Sequence, residues 1–206
     1  MATIIFDFDG TIADSFDYVA DFMVAEAKLP PLTDEKRQEL RGLSMVEMAR
    51  QLGYNWWTGA ILFVKGRRKM RQVIKQLNAF EGMPQLMRKL HNEGHELFIV
   101  TSNSVGNVKL FLRNHHINKY FLEIYGGVGI FSKSPALRRL FEEQNLDIKN
   151  AVYIGDELRD VESAQAIGLK AIAVSWGFAN RQDLKNAKPT HIVDTPAELM
   201  ALLEEM

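Results

Sequence analysis

The chain of 206 residues contains no cysteine. That excludes a disulfide scaffold, a thiolate zinc site and a cysteine nucleophile. Charge of one sign is not in excess either: 25 basic residues face 26 acidic ones, for a net charge of −1. A dedicated nucleic-acid binder would show a basic domain, so no nucleic-acid partner is expected. Long apolar runs are missing. The longest, Ala171 to Ala179, falls far short of the roughly 18 residues a spanning helix needs, so no membrane partner is expected. The apolar N-terminus has no basic lead and is interrupted by Asp7 and Asp9. It does not read as a signal peptide, and a cytoplasmic protein is the expectation. There are no repeats and no low-complexity segment. What remains is ordinary for a globular protein: 47% hydrophobic and 25% charged residues.

Short β-branched and aromatic runs predict strands over 3–8, 95–101, 123–128, 151–155, 170–174 and 191–193. Helical spacing predicts helices over 15–29, 33–40, 44–52, 58–79, 84–92, 105–115, 135–144, 160–167 and 196–205. Thr33 and Ser44 read as N-caps, and Ser44 with Glu47 forms a capping box. Strands alternating with helices predict an α/β fold, a Rossmann-like parallel sheet with helices on both faces. The stretch 15–80 holds no strand, so it reads as a small α-helical insert. The expected division is 1–14 with 81–206 as the α/β core, and 15–80 as the insert.

Ligands of open α/β sheets bind beyond the carboxyl ends of the strands. Those ends carry Asp7-Phe8-Asp9-Gly10-Thr11, Thr101-Ser102-Asn103-Ser104, Ser132-Lys133-Ser134-Pro135 and Gly155-Asp156-Glu157-Leu158-Arg159-Asp160. Alternation turns Asp7 and Asp9 the same way and Phe8 the opposite way. Clustered carboxylates resist joint ionisation, and a hard cation such as Mg²⁺ resolves that conflict with oxygen ligands. Lys133, the hydroxyls of Thr101 and Ser102, and backbone amides near Gly10 or Ser102 suit a phosphoryl group. An aspartate can attack phosphorus. A second aspartate two residues on can protonate the leaving oxygen and then activate water.

This set resembles the four motifs of the haloacid dehalogenase-like hydrolase superfamily. Asp7 to Thr11 is similar to the first, Val100-Thr101 to the second, Lys133 to the third, and Gly155-Asp156-Glu157 with Asp160 to the fourth. The stretches Val174 to Gly177, Thr190 to Val193 and Pro196 to Leu199 resemble the phosphoglycolate-phosphatase-like branch. The resemblance implies a Mg²⁺-dependent phosphatase acting on a small-molecule phosphate ester, with phosphoglycolate favoured. Asp7 would be nucleophile and metal ligand, and Asp9 general acid/base and metal ligand through its carbonyl. Thr101 and Lys133 would hold the phosphoryl group with Gly10, Ser102 and Asn103 near it. Asp156 would bind the metal, and Asp160 would bind it through water or support the other ligands. Dehalogenases of the superfamily lack an aspartate at the position of Asp9, so its presence implies phosphoryl transfer. The insert resembles the helical cap that closes over such sites. Arg41, in Leu40 to Ser44, is the expected contact to the distal part of the substrate. The run Lys65 to Arg71 reads as a solvated helix face, and Trp56-Trp57 as packing. A sugar-phosphate phosphomutase, or a non-catalytic binding protein on the same fold, are the alternatives. A monomer or homodimer is expected.

Overall fold

The computed structural model describes residues 1–129 and 132–205, with the side chains of Trp56 and Ala60 outside that description. Six strands form the sheet: β1 (Thr3–Phe6), β2 (Glu96–Val100), β3 (Phe121–Tyr125), β4 (Ala151–Gly155), β5 (Lys170–Val174) and β6 (His191–Val193). All neighbours pair in parallel, in the order β3-β2-β1-β4-β5-β6. A parallel sheet is covered on both faces, so its central strands are apolar at every position. Ile4 and Phe6 pack into one core layer, whereas Ile5 packs into the other.

On the first face lie α5 (Met83–Asn92), α6 (Val105–Asn114) and α10 (Pro196–Glu204); on the second lie α7 (Ser134–Gln144), α8 (Leu158–Gln165) and α9 (Arg181–Asn186). Between β1 and α5 come α1 (Phe16–Glu26), α2 (Asp34–Leu40), α3 (Met45–Gln51) and α4 (Trp56–Val73). The passes to and from these four helices pair with each other. Ala13 bridges Ala79, the Asp14 amide donates to the Asn78 carbonyl at 2.9 Å, and the Phe80 amide donates to the Ile12 carbonyl at 3.0 Å. A second tie is the loop before α3: the Gly42 amide donates to the Phe178 carbonyl at 2.9 Å, and the Asn180 amide donates to the Gly42 carbonyl at 3.1 Å.

The caps follow the sequence. Thr33 accepts from the Lys36 amide, and Ser44 with Glu47 closes a capping box. Some local readings differ, among them the helix expected over 58–79, which stops at Val73. The edge strand β3 begins two residues earlier than its apolar run suggested, because Leu122 and Glu123 are exposed on it. The helix α9 had no periodic signal, since Leu184 is its one buried residue. Trp57 is 74% exposed on α4 rather than packed inside.

Candidate active site

The chain runs outward from β1 to β3 on one side, then crosses to β4 on the other. The switch point therefore lies between β1 and β4, where open α/β sheets bind ligands. Asp7 follows β1 there, and Asp156 follows β4. The Asp7 amide donates to the Ile154 carbonyl at 2.8 Å, which fixes the two strand ends against each other.

The strand ends gather most of the expected residues. Lys133, at the start of α7, is fully buried, and its Nζ lies 2.6 Å from Asp7 Oδ2 and 2.7 Å from Asp160 Oδ1. The same Nζ donates to the Tyr153 hydroxyl at 2.9 Å, and that hydroxyl donates to the Val100 carbonyl at 3.0 Å. Asp156 accepts from the Thr11 hydroxyl at 2.7 Å and from the Phe178 amide at 2.8 Å. Asp160 Oδ2 accepts from the amides of Asp156 and Glu157, capping α8. Asp9 accepts from Asn103 Nδ2 at 2.9 Å, and Phe8 turns the other way, into the core against Phe111. Thr101 Oγ1 accepts from the Asn103 amide at 3.1 Å, and Ser102 is buried beside it.

Gly10 has a steric role. Its φ is +76°, and a Cβ there would lie 2.1 Å from Asp156 Oδ2. Its amide donates to the Ala13 carbonyl at 2.9 Å and so is engaged inside the turn. Gly177 is held to glycine in the same way, since a Cβ would lie 2.3 Å from Asp156.

The electrostatics call for a cation. Asp7, Asp156, Glu157 and Asp160 are buried. Their four negative charges face the buried Lys133 and the nearly buried Arg159, which leaves an excess of two negative charges if all are ionised. Burial raises Asp7 to about 7; the Lys133 ammonium pulls it back and the Asp160 carboxylate adds to the rise. Burial, with the Asp7 and Asp160 carboxylates, holds Asp156 well above the usual range. Burial pulls Lys133 down, but the Asp160 and Asp7 carboxylates outweigh it and raise its pKa. Burial also raises Asp9, against the opposing hydrogen bond from Asn103. Asp7, Asp156 and Asp160 each place an oxygen within 4.8 Å of the others, and Asp7 Oδ1 has no hydrogen-bond partner among the described residues. A hard divalent cation fits that oxygen set.

Two arginines change the sequence picture. Arg41 does not face the site. It is paired with Asp17 at 3.0 Å, lies over the Phe16 ring, and is outside the cavity above the strand ends. That loop docks on the core through a bridge between Gly42 and Ala179. Arg67 instead lines the cavity, with Nη1 3.4 Å from the Ser102 carbonyl. Its neighbours Lys65 and Lys69 pair with Glu26 on the outer face, so the basic run splits between solvent and cavity. Arg159, paired with Glu157 at 2.5 Å, also reaches the cavity and went unassigned in the sequence. Its place three residues after Asp156 was the available signal.

The cavity measures about 410 Å³ and lies between α1, α3, α4 and the strand ends. Asp9, Ser102, Asn103, Glu157 and Arg159 form its core side.

Comparison with known proteins shows the family. The sequence model of the haloacid dehalogenase-like hydrolases matches residues 4–174. A phosphoglycolate phosphatase from Synechococcus elongatus is 34% identical over 211 residues, covering 100% of this chain and 99% of its own. A 5'-nucleotidase from Pseudomonas aeruginosa is 30% identical over 128 residues, covering 61% of this chain and 58% of its own. The crystal structure of a predicted phosphatase from Clostridium acetobutylicum superimposes with a TM-score of 0.82 at 23% identity, with full coverage of both chains. The chain belongs to the haloacid dehalogenase-like hydrolase family, as an enzyme acting on phosphate esters.

Proposed function

We propose that this hydrolase cleaves small-molecule phosphate monoesters through an aspartyl-phosphate on Asp7, with Mg²⁺ as its cation and phosphoglycolate among its substrates. The observation that carries the reading is the buried cluster of Asp7, Asp156, Asp160 and Lys133 at the switch point, with Asp9 beside it. The curated relatives named phosphoglycolate phosphatases support the substrate.

Asp7, Asp156 and the Asp9 carbonyl would hold Mg²⁺, with Asp160 completing or supporting the set. The ion would neutralise charge on the carboxylates and phosphoryl oxygens. Lys133 holds Asp7 in place and adds positive charge where the phosphoryl oxygens bind. Thr101, Ser102 and Asn103 present the remaining donors. Asp7 attacks phosphorus, the bond to the ester oxygen breaks, and Asp9 gives its proton to that oxygen. Burial favours the protonated form of Asp9 that this step requires. Asp9 then takes a proton from water, the water oxygen joins phosphorus, and the bond to Asp7 breaks to release phosphate. Residues 15–80 act as a cap that shields these steps from bulk water.

The test is phosphate release from a panel of monoesters with Mg²⁺ or with chelator, using Asp7→Asn as control. Release abolished by both supports the reading. Isomerisation of a sugar phosphate without release would favour a phosphomutase instead.

A further inference from the structure

The cavity beside Asp9 has walls that the phosphoryl chemistry does not use. Phe22, Met23, Met45, Leu62, Phe63 and Met70 line the same cavity as Asp9. Two glycines of α4 shape it, Gly59 by adding no side chain at its rim and Gly66 by letting α4 pack closely against Phe22. Gly59 borders it with nothing near its Cβ position among the described residues, and at Gly66 a Cβ would lie 2.8 Å from the Phe22 ring. A volume of about 410 Å³ holds roughly 14 waters at ~30 Å³ each and lies within the roughly 300–1,000 Å³ span of drug-sized ligand pockets. Glycolate is a short hydroxy acid with two carbons, too small to cover a cavity of about 410 Å³ lined on one side by these apolar side chains.

Asp9 fixes which part of the substrate enters. As the acid for the leaving oxygen it touches the alcohol, not the transferred phosphoryl group. The apolar space adjoining Asp9 is therefore leaving-group space. We propose that the leaving group served best is an apolar, ring-sized alcohol seated between α1, α3 and α4, an inference that rests on the phosphatase reading above. The same cavity admits smaller esters with weaker binding. Burying a body the size of a phenylalanine side chain is worth about tenfold to a hundredfold in binding.

The experiment compares phenethyl phosphate with ethyl phosphate and phosphoglycolate. Phenethyl and ethyl esters release primary alcohols of similar acidity, so their ratio of kcat/KM reads the cavity rather than leaving-group chemistry. The expected ratio is about tenfold or more in favour of the phenethyl ester. Phenethylphosphonate, which cannot be hydrolysed, is expected to inhibit more tightly than ethylphosphonate by a similar factor. Ala49→Trp and Gly59→Leu each place bulk in the cavity, and thermal melts identify which of them folds. In a folded variant the ratio falls toward one.

Hydrolysis of ethyl phosphate or phosphoglycolate with no preference for the phenethyl ester overturns this proposal and leaves the phosphatase reading intact. A preference that survives both fillings also overturns it, because the ring then binds elsewhere. No release from any ester, with no inhibition difference between the phosphonates, overturns both.

Discussion

Replacing Lys133 with methionine removes a buried ammonium that faces two carboxylates and a phenol. Nζ is 2.6 Å from Asp7, 2.7 Å from Asp160 and 2.9 Å from the Tyr153 hydroxyl, and the side chain is inaccessible to water. Methionine fills similar space, so a cavity contributes little. The cost comes from leaving Asp7 and Asp160 without their cation. Removing one partner of a buried ion pair costs about 3–5 kcal/mol. At roughly 2–4 °C per kcal/mol for a chain of this size, the melting temperature falls by about 6–20 °C near neutral pH. The sign of the pH dependence follows. Without the ammonium that pulls it back, Asp7 keeps its proton more tightly in the folded state, so the penalty grows with pH and shrinks near pH ~5. Adding Mg²⁺ recovers part of the loss. Catalysis falls by about a hundred- to a thousandfold, the cost of losing one charge-stabilising donor. The assays are thermal melts with and without Mg²⁺ and phosphate release. A variant that melts like the wild type at every pH and turns over normally refutes the reasoning.

Asp7 rises from 3.8 to about 7, so the metal-free folded protein holds a proton that the unfolded chain releases. That stabilisation is complete below 3.8 and is lost as the pH rises through about 7. The contribution is measured as the difference between wild-type and Asp7→Asn melting curves, and Mg²⁺ is expected to shrink it. Gly10→Ala forces a Cβ against Asp156 at positive φ; strain of about 1–3 kcal/mol lowers the melting temperature, and calorimetry finds weaker Mg²⁺ binding. Ser44→Ala opens the capping box of α3; it costs about 1 kcal/mol, read as a fall of roughly 2–4 °C.

The central strands were legible because parallel strands buried on both faces are apolar throughout, as in Thr3–Phe6 and Ala151–Gly155. The edge strand β3 was displaced in the reading because only its last residues are buried. The short helix α9 carries too little apolar surface to leave a period. Asp7, Asp9, Thr101 and Asp156 were visible because each stands at or just beyond the end of a strand. Lys133 comes from a helix start, and the buried pairs with Asp7 and Asp160 account for it. The arginines were not legible. Arg41 and Arg67 differ by which way a loop or helix face turns, and that is decided by docking between Gly42 and Ala179 and by the Glu26 pairs with Lys65 and Lys69. Tyr153 looked like any buried strand residue until its hydroxyl was placed between Lys133 and the Val100 carbonyl.

The most direct measurement is to look for the phosphoryl group on Asp7. Asp9→Asn lacks the base that activates water, so an aryl phosphate, whose leaving group needs no proton, should phosphorylate the variant and leave it loaded. Acid quench and peptide mass spectrometry are expected to find a phosphoryl group on the peptide carrying Asp7, sensitive to hydroxylamine and absent without Mg²⁺. Turnover of the aryl ester by the wild type, with no phosphoryl group trapped on Asp7 in the variant and full activity retained by Asp7→Asn, would contradict the account.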